Sequence, residues 1–309
     1  MRILITDKVP ESLLSAFKER GYNFDYIPDI EKGELLKIVN KYEILIVRGR
    51  TRVDRELINE ATNLKAVIRF GVGLDNIDLD LCKEKGINVY NTPRAFTEAV
   101  AELTLSLILG LLRNIGFAHC SICAGEWRKK ELYGYELLDK NVAVIGFGRI
   151  GRRVAELLKP FKARIIVYDI IKFGEELLKQ YNAVQVDSLV DAVKDADIVT
   201  IHVPLTKETR NMFSYDIFRS MAKKPFLINT SRGEVVDYDA LLYALDHGYI
   251  RGYATDVYHI EPFYDERLTK RRNVLLTPHI GSQTYEAGER AVEETIEIVE
   301  KIFKNIERV

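Results

Sequence analysis

Cysteine, methionine and tryptophan are scarce in this chain of 309 residues, which has three, three and one of them. The three cysteines are Cys82, Cys120 and Cys123. This odd number leaves no second pair to complete a four-ligand zinc site, so we expect no metal. Cys120 and Cys123 have the spacing of a redox motif. They lie in a helical pattern away from any strand-to-helix turn, which disfavours a catalytic role.

The sequence also lacks a charge excess, a long apolar run and a signal peptide. Its formal net charge is −1, which argues against a nucleic-acid or membrane-surface partner. The strongest apolar run, Leu103 to Leu112, is too short to cross a bilayer. The first residues, Met1 to Asp7, predict a strand entering a turn rather than a signal peptide. We therefore expect a cytoplasmic globular protein without nucleic-acid or membrane partners.

A glycine-rich stretch organises the chain, with the sequence Val142-Ala-Val-Ile-Gly146-Phe-Gly148-Arg-Ile-Gly151. Its apolar residues predict a buried strand, and its glycines have the spacing of a dinucleotide-binding turn before a helix. In such a turn Gly146 allows the sharp bend, Gly148 lets the backbone approach a diphosphate, and Gly151 lets helix and strand pack closely. The same spacing also occurs in turns that only pack, so the motif depends on its context.

That context is supplied by Asp169, which follows the next apolar strand, Arg164 to Tyr168. An acid at this place hydrogen-bonds the adenine ribose and repels the 2′-phosphate of NADP. Ile170 and Ile171 offer no cation for such a phosphate, although Lys172 follows them. We predict NAD as the cofactor.

Strand and helix patterns alternate along the chain and predict an α/β protein of two doubly wound, parallel-sheet domains. Residues 1–95 with 284–309 are predicted to form a flavodoxin-like substrate domain, which has strands near residues 3–6, 44–47, 66–69 and 89–90. Residues 96–283 are predicted to form a Rossmann NAD-binding domain of six strands. The last helix, from about residue 286 to 306, is assigned to the first domain. The chain would cross twice between the domains and leave a cleft between them.

The helix predicted for residues 98–113 is apolar on nearly every face. A helix apolar all round is expected to be buried all round. We therefore predict that this helix packs between the domains and against a second copy of the chain, in a homodimer.

Three polar stretches follow late strands of the predicted NAD-binding domain, and they contain Arg232, Glu261 and His279. The carboxyl ends of parallel strands bind ligands in such folds. A histidine can exchange a proton with a substrate oxygen, a carboxylate can orient it, and an arginine can bind a carboxylate through two hydrogen bonds. Taken singly, each residue also fits a turn, loop or cap, and His259 competes with His279 as the partner of Glu261.

Over essentially its whole length the chain resembles the D-2-hydroxyacid dehydrogenase family. The matching signatures are residues 144–151, 202–206, 229–233, 256–262 and 277–281. The resemblance implies that Arg232, Glu261 and His279 are the catalytic residues, and it disfavours His259. It also implies that Asp256 holds the nicotinamide amide. The other cofactor-binding residues that it implies are Arg149, Ile150, Val203, Thr230 and Gly281.

Within the family the chain is most similar to the enzymes that oxidise 3-phospho-D-glycerate in serine biosynthesis. The similarity lies in residues 46–48, 68–76 and 91–93, and it assigns Arg48, Arg69, Gly71 and Gly73 to the substrate. Two cations beside exposed backbone amides suit a substrate with both a carboxylate and a phosphate. Because the chain ends at Val309, we expect no C-terminal regulatory domain.

Two alternatives stay open at this point. One is a glyoxylate, hydroxypyruvate or other 2-oxoacid reductase on the same scaffold. The other, from a different functional class, is an interaction protein that senses NAD. A formate dehydrogenase is disfavoured because that enzyme resembles a Gln–His pair where this chain has Glu261 and His279.

Overall fold

The structure is a computed structural model that describes the backbone of residues 1–306 and the side chains of residues 1–304. It divides into two compact units, Met1–Phe96 together with the chain from Ser282 onward, and Thr97–Gly281. The predicted domain boundaries, 95/96 and 283/284, lie one residue before and two residues after these divisions.

The strands, in chain order, are β1 Arg2–Ile5, β2 Asn23–Tyr26, β3 Ile44–Val47, β4 Ala66–Arg69, β5 Asn88–Asn91, β6 Asn141–Ile145, β7 Arg164–Tyr168, β8 Ala183–Gln185, β9 Ile198–Ile201, β10 Phe226–Asn229, β11 Gly252–Thr255 and β12 Val274–Leu276. The helices are α1 Glu11–Glu19, α2 Lys32–Ile38, α3 Arg55–Glu60, α4 Leu79–Glu84, α5 Thr97–Leu112, α6 Ile115–Cys123, α7 Arg149–Leu158, α8 Glu175–Gln180, α9 Leu189–Val193, α10 Tyr215–Ser220, α11 Tyr238–Asp246, α12 Glu266–Thr269 and α13 Tyr285–Ile306.

The first unit has a five-stranded sheet in the order β2-β1-β3-β4-β5, with every pair parallel. This is the strand order of a flavodoxin-like sheet, and a flavodoxin-like domain was predicted from the sequence. Strand β3 is buried along its whole length because helices cover both faces of a parallel sheet. Aspartates fix helix starts, as where Asp54 accepts the N–H of Leu57 at 3.1 Å at the beginning of α3.

The last helix, α13, groups with the first unit. It packs against α1 and β4. Its buried Glu294 carboxylate accepts the backbone N–H groups of Arg94 at 3.2 Å and Ala95 at 3.1 Å. These hydrogen bonds hold the segment that leads out of the first sheet.

The second unit has a seven-stranded parallel sheet in the order β12-β11-β10-β9-β6-β7-β8. The chain reverses its direction of winding between β6 and β9, and this switch point is where doubly wound sheets bind ligands. The carboxyl ends of β6, β9, β10, β11 and β12 all lie along one edge of the sheet. The glycine turn and the three polar stretches all follow strands of this sheet.

One strand in each sheet was not predicted from the sequence. β2 and β8 lie at sheet edges, and their residues are only partly buried. Both strands are short and contain polar residues, Asn23 and Asp25 in β2 and Gln185 in β8, so neither has the continuous apolar run by which the central strands were recognised. The second sheet therefore has seven strands where six were predicted.

Helix α5 is covered only in part by its own unit. It packs against α7, β10, β11 and β12 through buried residues such as Leu107, Ile108 and Leu111. Leu103, Leu105 and Leu109 are only partly buried. No single helix in residues 1–306 is long and apolar enough to cross a membrane, and the pair α5 and α6, bent by 67°, meets that test only when taken together.

Candidate active site

The glycine turn after β6 has the geometry that its sequence predicted. Gly146 has φ +93°, and a Cβ on it would lie 2.7 Å from the carbonyl carbon of His202. A Cβ on Gly151 would lie 2.1 Å from the carbonyl oxygen of Gly146. The protein itself therefore requires both glycines.

Gly148 differs, because a Cβ there would meet no protein atom within 4 Å. It precedes α7, which begins with Arg149 and Ile150, so the N-terminus of that helix borders open space. Backbone N–H groups and the helix dipole favour an anion at such a position. The turn thus fits a dinucleotide diphosphate, and packing within the chain does not explain its second glycine.

Asp169 lies beside this turn, at the end of β7. Its carboxylate accepts the N–H of Phe147 at 2.7 Å and that of Ile171 at 2.9 Å. Each oxygen retains a lone pair that can accept a ribose hydroxyl. Lys172, the cation nearest in sequence, forms an ion pair with Asp187. The surroundings of Asp169 therefore favour NAD over NADP.

Val203 and Thr230 follow β9 and β10, which are neighbours in the sheet. The hydroxyl of Thr230 lies 2.9 Å from that of Thr104 on α5. Desolvation lowers the pKa of His202 to about 3, so this histidine is neutral and hydrogen-bonds Thr200. Both predicted cofactor residues thus lie on the edge that carries the glycine turn.

Arg232 lies in a loop that buried Asn229 organises. The Asn229 amide accepts the backbone N–H of Ser231 at 3.0 Å and donates to the carbonyl of Arg232 at 2.9 Å. A Cβ on Gly233 would lie 2.0 Å from the carbonyl carbon of Tyr258, so only glycine lets the loops after β10 and β11 approach. The positioning roles of Asn229 and Gly233 were not predicted from the sequence, although both lie in the signature of residues 229–233.

His279 and Glu261 form a direct pair. The His279 Nδ1–H donates to Glu261 Oε2 at 2.7 Å, and the two side chains are 47% and 39% exposed. This hydrogen bond assigns the proton to Nδ1 and leaves Nε2 as the acceptor of the neutral ring. The competing His259 ring packs on Tyr238, with centroids 4.4 Å apart, and on Phe263.

The loop that carries His279 is held by Asp256, which is buried. Asp256 Oδ1 accepts from the Thr277 hydroxyl at 2.6 Å and from the Ile280 N–H at 2.8 Å, and Oδ2 accepts from the Gly281 N–H at 2.7 Å. His279 itself has φ +53°, an unusual value for a residue other than glycine. Such a conformation costs about 1–3 kcal/mol and persists when the surroundings determine it.

The predicted substrate residues lie in the first unit, where Arg48 follows β3. Asp7 accepts the Arg48 backbone N–H at 2.5 Å, and the guanidinium lies 5.7 Å from the Phe70 ring centroid. Burial lowers the pKa of Arg48, an effect that Asp7 opposes. Arg48 lines a cavity of about 410 Å³ together with Phe70, Phe96 and Glu289.

Arg69 is placed differently. Its Nη1 donates to the carbonyl of Phe70 at 2.6 Å, and a Cβ on Gly71 would lie 2.0 Å from that nitrogen. The side chain is therefore folded over Gly71, whose own N–H donates to Thr92 Oγ1 at 2.9 Å. Gly73 lies half-exposed in the following turn. Arg48 lines the cavity, and Arg69 is not among the described residues that line it.

Comparison with known proteins gives consistent results. Residues 105–281 match the family model described as the NAD-binding domain of D-isomer-specific 2-hydroxyacid dehydrogenases. The chain is 41% identical over 280 residues to a hydroxypyruvate reductase of Thermotoga maritima, covering 90% of this chain and 89% of that protein. It is 38% identical over 304 residues to a D-3-phosphoglycerate dehydrogenase of Methanocaldococcus jannaschii, covering 98% of this chain but only 58% of that longer protein.

Among solved structures, the chain is similar to a D-lactate dehydrogenase from Aquifex aeolicus, determined with NAD and lactic acid. The TM-score is 0.85 at 31% identity, with 98% of this chain and 96% of that chain covered. The likeness extends over both units, and the family model covers the glycine turn, Asp169 and the loops of Arg232, Glu261 and His279. The chain belongs to the D-isomer-specific 2-hydroxyacid dehydrogenases, as an NAD-dependent enzyme of that family.

Proposed function

We propose that Arg232, Glu261 and His279 are the catalytic residues of this dehydrogenase. The observation that supports this most directly is the 2.7 Å hydrogen bond between His279 and Glu261. It lies in the loops that follow β11 and β12, in the sheet that also carries the glycine turn. NAD, when bound, accepts the hydride that leaves C2 of the hydroxyacid.

In oxidation, His279 Nε2 accepts the proton of the C2 hydroxyl. The imidazolium that forms is stabilised by the Glu261 carboxylate at Nδ1. Arg232 binds the substrate carboxylate and the developing carbonyl oxygen through its planar guanidinium. In reduction, His279 returns the proton as the general acid. Asp256 and Gly281 are proposed to contact the cofactor as well as to form the loop of His279.

Turnover of NADH with a panel of 2-oxoacids, by the wild-type enzyme and by variants of Arg232, Glu261 and His279, tests this proposal. An enzyme consumes NADH with at least one of phosphohydroxypyruvate, hydroxypyruvate and glyoxylate. An interaction protein that senses NAD would bind NADH without turnover on any 2-oxoacid. The assay therefore separates the two functional classes that the sequence left open.

We propose 3-phospho-D-glycerate as the substrate, oxidised to 3-phosphohydroxypyruvate for serine biosynthesis. The supporting observation is Arg48, a partly desolvated cation that lines the 410 Å³ cavity. Ser282, which also lines this cavity, is three residues from His279 in the sequence. Glu289 favours a second candidate, because a carboxylate in the same cavity opposes a phosphate. That candidate is the reduction of hydroxypyruvate, which has an uncharged hydroxyl group in place of the phosphate, or of glyoxylate.

Arg48→Ala is expected to lower kcat/KM for 3-phospho-D-glycerate by about 10- to 100-fold, the cost of one charge-assisted hydrogen bond. Activity on glyoxylate should change little, since glyoxylate has no distal group. Steady-state kinetics with both substrates measure the contrast, and the exposed Arg52→Ala is the matched control. Equal losses on both substrates would remove the phosphate assignment and leave the dehydrogenase in place.

Arg69→Ala belongs in the same experiment. A selective loss on the phosphorylated substrate would place Arg69 at the phosphate with Arg48. An equal loss on both substrates would assign Arg69 to holding the loop over Gly71, where its guanidinium lies.

Asp169→Ala is expected to weaken NADH binding by roughly 10- to 100-fold, because a charged acceptor for the ribose is lost. It should also narrow the preference for NAD over NADP, since the repulsion of a 2′-phosphate disappears. Fluorescence titration with NADH and NADPH measures both effects, with the exposed Asp195→Ala as control. An unchanged preference would contradict the assignment of Asp169 to the ribose.

We also propose a homodimer formed through the region of α5. The partly uncovered leucines of α5 support it, as does a neighbouring segment with exposed Ile115, Trp127 at 82% and Tyr133 at 88% exposure. Solvent-exposed apolar side chains in such a group favour a protein interface. Light scattering would show a monomer if the proposal is wrong.

We place the enzyme in the cytoplasm, which cell fractionation tests.

A further inference from the structure

Tyr258 is linked by hydrogen bonds to both members of the His279–Glu261 pair, directly to Glu261 and through a shared backbone carbonyl to His279. Its backbone N–H donates to Glu261 Oε1 at 3.1 Å. Its hydroxyl donates to the backbone carbonyl of Thr277 at 2.8 Å. The same carbonyl accepts the backbone N–H of His279 at 3.1 Å. Tyr258 is therefore bonded directly to the carboxylate and through one shared carbonyl to the histidine.

The hydroxyl contact matters because of the backbone conformation of His279. With φ +53°, this residue depends on its surroundings to stay in place. Asp256 holds the Thr277 hydroxyl and the N–H groups after His279, which leaves the Thr277 carbonyl to other donors. The Tyr258 hydroxyl, which lies outside the loop of His279, donates a hydrogen bond to that carbonyl.

The Tyr258 side chain is itself held rigidly. Its ring stacks on Phe263, with centroids 4.4 Å apart and planes at 13°. Burial, with the nearby hydroxyl and carboxylate groups, raises the pKa of Tyr258, so its hydroxyl stays protonated as a donor. A fixed ring with a protonated hydroxyl can hold the carbonyl in one position.

We propose that Tyr258 is a positioning residue, which aligns His279 with Glu261 and with the substrate oxygen through the Thr277 carbonyl. This inference rests on the proposed role of His279 in proton transfer. Tyr258 acts through His279 and takes no part in binding substrate or cofactor. Its effect should therefore appear in the proton-transfer step and disappear when His279 is absent.

The test is Tyr258→Phe, which keeps the stacked ring and removes only the hydroxyl. We expect kcat for 2-oxoacid reduction to fall about 3- to 10-fold, the range for one neutral hydrogen bond. KM for NADH and the thermal midpoint should stay close to the wild-type values. The solvent deuterium isotope effect on kcat should increase, because a misaligned proton transfer becomes more rate-limiting.

Tyr264→Phe is the matched control, since its exposed hydroxyl contacts Glu266 in the same segment at 3.3 Å. It should leave kcat and the isotope effect unchanged. The double variant Tyr258→Phe/His279→Ala should be no slower than His279→Ala alone. A further loss of the same factor in the double variant would overturn the inference.

Three other results would also overturn it. One is a lowered thermal midpoint with unchanged kcat in Tyr258→Phe, which would show a role in stability alone. Another is full activity of His279→Ala, which would remove the proposed role of His279 and this inference with it. Normal kinetics of Tyr258→Phe beside an inactive His279→Ala would refute the positioning role and leave the proposed function standing.

Discussion

His279→Ala is expected to lower kcat in both directions by about 10²- to 10⁴-fold, the usual contribution of a positioned acid–base group. The substrate oxygen would then exchange its proton with water instead of with His279 Nε2. NADH should still bind, because its proposed contacts lie in the glycine turn and at Asp169. Steady-state rates with NADH titration separate the two effects.

His259→Ala is the control for this experiment. His259 is exposed, and its ring packs on Tyr238 and Phe263 instead of on Glu261. We expect its loss to change kcat by less than about twofold, as for surface substitutions away from a site. If His259→Ala proved the more damaging variant, the assignment of the acid–base residue would be wrong.

Arg232→Lys is expected to lower kcat/KM for the 2-oxoacid by about 10²- to 10³-fold, as for loss of a donor to a developing oxyanion. Lysine keeps the charge but lacks the planar pair of donors that matches a carboxylate. Asn229 and Gly233 should still fold the loop, because their contacts involve backbone atoms. NADH affinity and the thermal midpoint should therefore change little.

The exposed Arg210→Lys serves as the matched control for charge and side-chain length. A small effect of Arg232→Lys, comparable with that control, would show that charge alone suffices at this position. A large loss of NADH affinity would instead assign Arg232 to the cofactor.

Local patterns predicted much of the fold. The central strands were recognisable because a parallel sheet buries both of its faces, which demands apolar runs such as Ile44–Val47. Strands β2 and β8, at two of the sheet edges, were not predicted because they are short and contain polar residues. The apolar residues of α5 correctly predicted a helix. Only the tertiary structure shows which of its leucines are buried within the chain and which are partly exposed.

The candidate site divides in the same way. Glycine spacing, the acid after the second strand, and the order of Arg232, Glu261 and His279 are sequence-local features, and the sequence by itself identified them. It could not determine that Arg48 lines the cavity while Arg69 folds over Gly71, because that choice depends on backbone carbonyls and side-chain packing. Arg48, as the arginine that lines the cavity, therefore supports the proposed substrate.

The sequence by itself determined the family, and it predicted the NAD cofactor and the residues proposed for catalysis, since each depends on residue type at fixed spacing. Only the tertiary structure decided how His279 is held. Asp256 and Tyr258 contact its loop from the end of another strand, about twenty residues away in the sequence. Such contacts leave no periodic signal, because they depend on the register of neighbouring strands and on which atoms their loops bring within hydrogen-bond distance.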